Sequence, residues 1–126
     1  MSVIGIGTDI IEINRIIVMS EQTRNRLAER VLTKTEYELY TSTKQPERYL
    51  AKRWSAKEAA SKALGTGIAK GVSFKHIEIQ SLATGQPVLQ LTGKALEVAT
   101  QIGASQWHIT LSDEVNYATA FVVLSN

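Results

Sequence analysis

A strand that contains two glycines and an acid constrains this chain more than any other segment does. Residues 3–11 are rich in β-branched and apolar side chains, which favours an extended strand. Gly5 and Gly7 are typical of a place where another backbone or a ligand comes close. Asp9 violates the pattern of a purely structural core strand, so it is an exposed edge residue, a cap for the following helical turn or a functional carboxylate. Asp9 and Glu12 also argue against a signal peptide or a membrane span in this stretch.

The longest predicted helix spans residues 46–64. Pro46 suits its first position, and Gly65 is typical of the residue that ends a helix. One face consists of small side chains, which allow a helix to pack closely on a sheet. These are Ala56, Ala59, Ala60 and Ala63.

A different face of this helix carries Glu58 and Lys62, which are neighbours because they are four residues apart. Leu50, Ala51 and Trp54 share that face, so we expect the pair to be partly shielded from water, where charge interactions are stronger. Taken alone, the pair is most simply a helical salt bridge worth about 0.3–0.5 kcal/mol.

Asp9 changes that interpretation, because Asp9 and Glu58 together can supply two carboxylate ligands to a hard cation such as Mg²⁺. This ion keeps several water ligands and takes others from substrate phosphates, which nearby lysines would also bind. Residues 44–75 contain eight basic and two acidic residues, a local net charge of +6 in a chain whose net charge is +2. Such a segment suits a polyanion, either the phosphates of a small molecule or an acidic protein.

The remaining patterns predict an α+β fold in a single domain over residues 1–126. Further helices are expected over 21–31 after Ser20, from Thr33, where Glu36 completes a capping box, and from Thr92 to about residue 102. Further strands are expected over 76–80, 87–91, 107–111 and 117–124. The first two of these strands are expected to form a hairpin through Gly85 and Gln86. The chain has no cysteine, which excludes disulfides and thiolate chemistry and favours a cytoplasmic location.

Two motifs resemble those of the holo-[acyl-carrier-protein] synthase family, the small bacterial 4′-phosphopantetheinyl transferases. The first is GIGTDIIEI at 5–13 followed by Arg15 and Ile16, and the second is RWSAKEAASKA at 53–63. Shorter matches extend the resemblance over essentially the whole chain: RVLT at 30–33 with Glu36, GTGI at 65–68, GQP at 85–87, HITLS at 108–112, and Tyr117 with Ala118.

The resemblance implies the fold of that family, a mainly antiparallel sheet packed on a long central helix. It implies Mg²⁺-dependent transfer of the 4′-phosphopantetheine group of coenzyme A to a serine of apo acyl carrier protein, with release of adenosine 3′,5′-bisphosphate, in support of fatty acid biosynthesis. It also implies a homotrimer with active sites between subunits. A membrane or a nucleic acid is not expected as a partner.

The resemblance implies that Asp9 and Glu58 bind the metal. It also implies that Asp9, Glu58 and Lys62 are the catalytic residues, and that Lys62 binds the coenzyme A phosphates. Arg53 becomes the candidate for the 3′-phosphate, because its fork matches a dianion. A surface salt bridge to Glu47 or Glu58 is the simpler role for this arginine.

Three other residues receive nucleotide roles from the resemblance. His108 is similar to a family histidine near the adenosine end, and a structural histidine beside Trp107 is the equal alternative. Gly65 and Thr66 offer backbone and hydroxyl groups to the nucleotide, although a glycine that ends a helix needs no ligand.

Acyl carrier proteins are acidic and helical, so the chain should offer them a basic surface. The candidates are Arg15, Arg24 and Arg26, of which Arg15 stands at the family's spacing from Asp9. The alternative for the other two is a solvated arginine on an amphipathic helix.

The chain departs from the family pattern at two places. Several members carry a histidine where this chain has Asp113 and Glu114, so a role for that histidine does not transfer. Trp54 and Ser55 replace a frequent Phe-Ala pair beside the presumed metal, which changes bulk and polarity there.

Two other classes of protein compete with the transferase. A noncatalytic binding protein for coenzyme A or nucleotides would use the basic helix and glycine loop without a metal, and Asp9 argues against it. A small RNA-binding protein would use the basic segment, but the tyrosines and phenylalanines are scattered and form no stacking platform.

Overall fold

A computed structural model describes residues 2–126 of the chain. The strands are β1 (Val3–Glu12), β2 (Ile77–Ser81), β3 (Pro87–Leu91), β4 (Gln106–Asp113) and β5 (Tyr117–Ser125). The helices are α1 (Asn14–Ile17), α2 (Glu21–Val31), α3 (Lys34–Ser42), α4 (Pro46–Ala63) and α5 (Gly93–Gln101), with a 3₁₀ turn over Phe74–His76. Among the described residues, no helix is both long and apolar enough to span a bilayer.

Two antiparallel sheets flank the long helix. The larger has the strand order β1-β5-β4, and the smaller is the β2-β3 hairpin. Helix α4 packs across one face of the larger sheet, chiefly on β1 and β5. The predicted α+β class, the antiparallel pairing and the central helix are therefore confirmed.

The glycines of β1 allow α4 to approach the sheet. Gly5, Gly7 and Asp9 alternate along the strand and so point to the same face, toward α4. A Cβ atom on Gly7 would lie 2.0 Å from the carbonyl oxygen of Ala59, and one on Gly5 would lie 2.1 Å from that of Ala63. The close approach that the glycines predict is thus an approach of another backbone, and it brings Asp9 against α4.

A buried ion pair fixes α4 against the smaller elements. Lys57 is fully buried and donates to Glu36 Oε1 at 2.5 Å, to the carbonyl of Val31 at 2.7 Å and to that of Phe74 at 3.2 Å. Glu36 also accepts from the backbone N–H of Ile79 at 2.8 Å. This network joins α2, α3, α4 and the hairpin, and none of it is visible in the helix pattern of the sequence.

The predicted boundaries hold within one or two residues at most ends. Ser20 caps α2 by accepting from Thr23, and the predicted capping box of Thr33 with Glu36 is formed at the start of α3. The short helix α1 was not predicted, because four residues carry too little periodicity. Strand β4 extends to Asp113, two residues beyond the predicted end, which brings that carboxylate toward α4.

Candidate active site

Asp9 and Lys62 meet at the seam between β1 and α4. The Lys62 ammonium donates to Asp9 Oδ1 at 3.1 Å and to the carbonyl of Thr8 at 3.0 Å. The Asp9 side chain is 20% exposed and that of Lys62 is 52% exposed, so the seam opens to solvent at the lysine. Within residues 2–126 the ion pair of Lys62 is therefore with Asp9, and the simple helical salt bridge to Glu58 is not formed.

Glu58 lies half-buried beside the same carboxylate. Burial raises the pKa of Glu58, and the nearby negative charge of Asp9 raises it further, while Lys62 and the indole of Trp54 partly offset the rise. Two carboxylates that repel each other in a partly dry seam are stabilised together by added positive charge. The structure thus brings together Asp9, Glu58 and Lys62, as the sequence predicted.

The side chains at this seam suit a metal site in which the substrate supplies some of the ligands. No cluster of three or more His, Cys, Asp or Glu side chains suited to a metal occurs among residues 2–126. Two carboxylates with a neighbouring lysine fit a hard cation that keeps water ligands and takes the rest from phosphate oxygens. Asp9 and Glu58 are the side chains that would hold it.

The chain turns away from this seam immediately after α4. Gly65 has φ +83°, a left-handed conformation that favours glycine, and its N–H donates to the carbonyl of Lys62 at 3.0 Å. The Thr66 hydroxyl donates to the carbonyl of Gly67 at 2.7 Å. Gly65 and Thr66 therefore follow the charged cluster within one turn, and their predicted nucleotide contacts stay a prediction.

Arg53 points to another side of α4. Arg53 as a whole is 6% exposed; its guanidinium lies over the ring of Tyr49 at 4.7 Å from the centroid and has Nη2 3.4 Å from the Ser81 hydroxyl. It forms no salt bridge with Glu47 or Glu58. The structure therefore separates Arg53 from the Asp9 cluster within one chain.

A cavity of about 680 Å³ surrounds this arginine, between the end of α3, the start of α4 and the end of β2. Its lining contains four cationic side chains and no acidic one: Lys44, Arg48, Lys52 and Arg53. Within residues 2–126, Arg53 Nε and the Tyr49 hydroxyl are buried without a hydrogen-bond partner. We refer to this space as the Arg53 cavity. The local charge of +6 was the sequence signal for it, but only the fold gathers these four cations.

His108 lies on the face of the larger sheet opposite to α4. It is exposed, and its Nε2 is 3.2 Å from the Ser125 hydroxyl. The same face carries Ile6, Ile10 and Phe121, which are 61%, 62% and 44% exposed. We refer to this surface as the outer face. It is an apolar surface that the single chain leaves uncovered.

The three arginines predicted for carrier docking differ in their surroundings. Arg15 is exposed and lies over the Trp54 ring at 5.4 Å from the centroid, which places it near Glu58. Arg26 is exposed on α2. Arg24 donates to the Tyr40 hydroxyl at 2.8 Å and to Glu47 at 2.7 Å, so its guanidinium already joins α2 to α3 and α4.

Comparison with known proteins identifies a family. A model described as the 4′-phosphopantetheinyl transferase superfamily matches residues 5–122. The chain is 52% identical to the holo-[acyl-carrier-protein] synthase of Shewanella frigidimarina, with full coverage of both chains. It is similar to the crystal structure of holo-[acyl-carrier-protein] synthase from Neisseria meningitidis, with a TM-score of 0.89, 40% identity and coverage of 99% and 100%. It is also similar to the Bacillus anthracis synthase in complex with CoA (3′,5′-ADP), with a TM-score of 0.80, 37% identity and coverage of 97% and 96%.

Proposed function

The chain belongs to the 4′-phosphopantetheinyl transferase superfamily, and we propose that it is a holo-[acyl-carrier-protein] synthase. It transfers the 4′-phosphopantetheine group of coenzyme A to a serine of apo acyl carrier protein. The observation that carries this proposal is the juxtaposition of Asp9, Glu58 and Lys62 at the seam of β1 and α4. Two carboxylates and an ammonium group in one cleft suit phosphoryl-type transfer, in which catalysis is mainly positioning and charge stabilisation.

The reaction requires that a serine oxygen attack the β-phosphorus of coenzyme A. A phosphorus–oxygen bond to the serine forms, the bond to the bridging oxygen breaks, and adenosine 3′,5′-bisphosphate leaves. Lys62, on the solvent side of the seam, binds the phosphates and offsets the negative charge that grows on their oxygens. Glu58 faces the same seam and accepts the serine proton in this proposal.

Mg²⁺ is the proposed metal, and Asp9 and Glu58 are its proposed protein ligands. The support is chemical, because paired carboxylates beside a phosphate-binding lysine match the oxygen ligands that Mg²⁺ prefers. When bound, the ion supplies positive charge to the phosphate oxygens of the substrate. The Lys62 ammonium, 3.1 Å from Asp9 Oδ1, supplies a further positive charge beside these carboxylates.

We propose that one coenzyme A molecule uses residues of two subunits in a homotrimer. The uncovered outer face supports an assembly, since exposed apolar patches mark interaction surfaces. His108 lies on that face, and the Arg53 cavity lies away from the Asp9 cluster of its own chain. A shared site lets Gly65 and Thr66 of one subunit meet the nucleotide while His108 and Arg53 of a neighbour bind its adenosine and 3′-phosphate.

We propose that carrier protein docks at Arg15, beside Trp54, and at the arginines of α2. Arg15 carries the most weight because it is exposed and adjacent to the seam, and Arg26 adds charge from α2. A role for Arg24 in docking competes with its bonds to Tyr40 and Glu47, so its loss should also weaken the fold. The proposed place of action is the cytoplasm, in fatty acid biosynthesis.

The direct test is the mass of the carrier protein. The purified chain is incubated with coenzyme A, Mg²⁺ and apo acyl carrier protein, with and without a chelator, and the carrier is weighed by intact mass spectrometry. We expect a chelator-sensitive gain of one phosphopantetheine. Asp9→Asn and Lys62→Ala should abolish most of it, whereas Lys94→Ala, which removes an exposed lysine paired with Glu97 on α5, should not. No gain with a carrier that a control enzyme modifies would favour the noncatalytic binding protein.

A second test addresses the shared site. Asp9→Asn and Arg53→Ala each disable one half of a two-subunit site, so each variant alone should be poorly active. Co-expression of the two variants should restore part of the activity, because some interfaces then combine an intact Asp9 cluster with an intact Arg53 cavity. Absence of restoration in a mixed oligomer would place both halves in one chain.

A further inference from the structure

Asp113 is a charged residue at the rim of the Arg53 cavity for which the transfer reaction has no evident use. Its Oδ2 accepts from Arg48 at 2.9 Å, and its Oδ1 lies 3.2 Å from the Lys52 ammonium. Burial raises the pKa of Asp113, but hydrogen bonds from Arg48 and Lys52 outweigh that effect and hold the pKa below its usual range. The carboxylate is therefore ionised at neutral pH, and it forms ion pairs with two of the four cations of the cavity, offsetting one of their two positive charges.

The turn that follows β4 reinforces this contact. Arg48 also donates to the carbonyl of Glu114 at 2.7 Å and to that of Val115 at 3.2 Å, so one guanidinium is held by three acceptors of the same turn. Lys44 and Arg53, in contrast, have no ion pair within residues 2–126. Two cations of the cavity, Lys44 and Arg53, are thus without an ion pair in the described chain, whereas Arg48 and Lys52 are paired with Asp113.

The part of the cavity that Lys44 and Arg53 line is suited to bind an anion. Arg53 is 94% buried, and neither its Nε nor the neighbouring Tyr49 hydroxyl has a hydrogen-bond partner among residues 2–126. Buried polar groups without partners are costly, so an anion that accepts from them is stabilised. Arg48 and Lys52 line the same cavity, so Asp113, which pairs with both, competes for them with a phosphate bound there and opposes its negative charge.

We propose that Asp113 is a specificity-determining residue that limits how tightly the 3′-phosphate of coenzyme A, and of the bisphosphate product, is held in this cavity. This inference rests on the proposed function. Asp113 acts only on the ligand group that enters the cavity, so a nucleotide without a 3′-phosphate is indifferent to it. A moderate affinity for the bisphosphate favours its release after transfer.

The experiment measures binding of adenosine 3′,5′-bisphosphate and of AMP to the purified full chain by isothermal titration calorimetry at low salt. Asp113→Asn should tighten binding of the bisphosphate about fivefold, the value expected for releasing two partly exposed ion pairs, and should leave that of AMP unchanged. Asp113→Glu keeps the charge and should bind like the parent chain. Glu114→Gln is the matched control, because it removes a charge one residue away whose carboxylate accepts from the N–H of Asn116 at 3.0 Å.

Each remaining outcome overturns the inference. Unchanged or weaker bisphosphate binding in Asp113→Asn would show that the carboxylate does not compete, and equal tightening of AMP would show a general field effect. A parent chain that does not prefer the bisphosphate to AMP would remove 3′-phosphate recognition itself. The proposed function is separable, since it fails only if the parent chain transfers no phosphopantetheine to a competent carrier.

Discussion

The buried pair of Lys57 and Glu36 permits a quantitative prediction about what holds α4 in place. Lys57 is fully buried and Glu36 is 1% exposed, and the two side chains meet at 2.5 Å. Lys57→Met fills a similar volume but leaves the Glu36 carboxylate buried without its cation. The carboxylate keeps only its bonds from the N–H groups of Thr33 at 2.9 Å and Ile79 at 2.8 Å.

The expected cost follows from that uncompensated charge. Breaking a buried ion pair by removing one partner costs about 3–5 kcal/mol, a large part of a typical free energy of unfolding of roughly 5–15 kcal/mol. The double variant Glu36→Gln with Lys57→Met removes both charges and keeps one amide oxygen as an acceptor. It should therefore lie within about 2 kcal/mol of the parent chain, and so be more stable than Lys57→Met alone.

Urea unfolding of the parent, the two single variants and the double variant, at one fixed protein concentration, measures these differences as a double-mutant cycle. A cost below about 1 kcal/mol for Lys57→Met, or additive effects in the cycle, would refute the reasoning that the pair is coupled. Lys52→Met, at a partly exposed lysine of the same helix, is the control and should cost about 1 kcal/mol or less.

Three further predictions concern the seam, the outer face and the rim of the Arg53 cavity. Gly7→Ala places a Cβ atom 2.0 Å from a backbone oxygen of α4, so its free energy of unfolding in urea should fall by about 3 kcal/mol. Calorimetry should also show weaker Mg²⁺ binding. A variant as stable as the parent chain would contradict this packing. Ile10→Arg puts a charge on the apolar outer face and should convert the proposed trimer to smaller species in analytical ultracentrifugation, while the matched change Glu12→Arg at the exposed end of β1 serves as the control. The Asp113 carboxyl should titrate below the ordinary range of an aspartate in carboxyl NMR, and its pKa should rise toward that range in Arg48→Ala, since the lost hydrogen bond favours the charged form. Any stability from this contact is present above the ordinary pKa of aspartate and is lost as the pH falls through the lowered pKa. An unchanged titration in that variant would remove Arg48 as the cause.

Local chemistry made much of the fold predictable. Proline at the start of α4, the capping box of Thr33 with Glu36 and the glycine turn between β2 and β3 act within a few residues, so their positions in the sequence were sufficient. The acid in β1 and the pair of charges on α4 could be singled out for the same reason. Their patterns conflict with a purely structural strand and with a uniformly solvated helix face.

Contacts between distant segments were not predictable in this way. Arg24 was predicted to dock carrier protein or to be solvated, yet it is bonded to Tyr40 and Glu47. The simpler role predicted for Arg53 was a surface salt bridge, yet this arginine is buried against Tyr49. Lys57 stands beside Glu58 in the second motif, and nothing in its neighbours reveals that it is the fully buried lysine.

The sequence by itself determined the longer helices and the strands, the residues that carry unusual charge and the family that the motifs resemble, because those properties depend on neighbours along the chain. Tertiary structure decided that Lys62 pairs with Asp9 instead of Glu58, that Arg53 lies in a different cavity, and that Asp113 reaches the cations there. The physical reason is that the pairing of a charge and the solvation of its surroundings depend on which distant segment packs against it. The two glycines of β1 illustrate both levels, since their spacing is local but the backbone that they admit comes from α4.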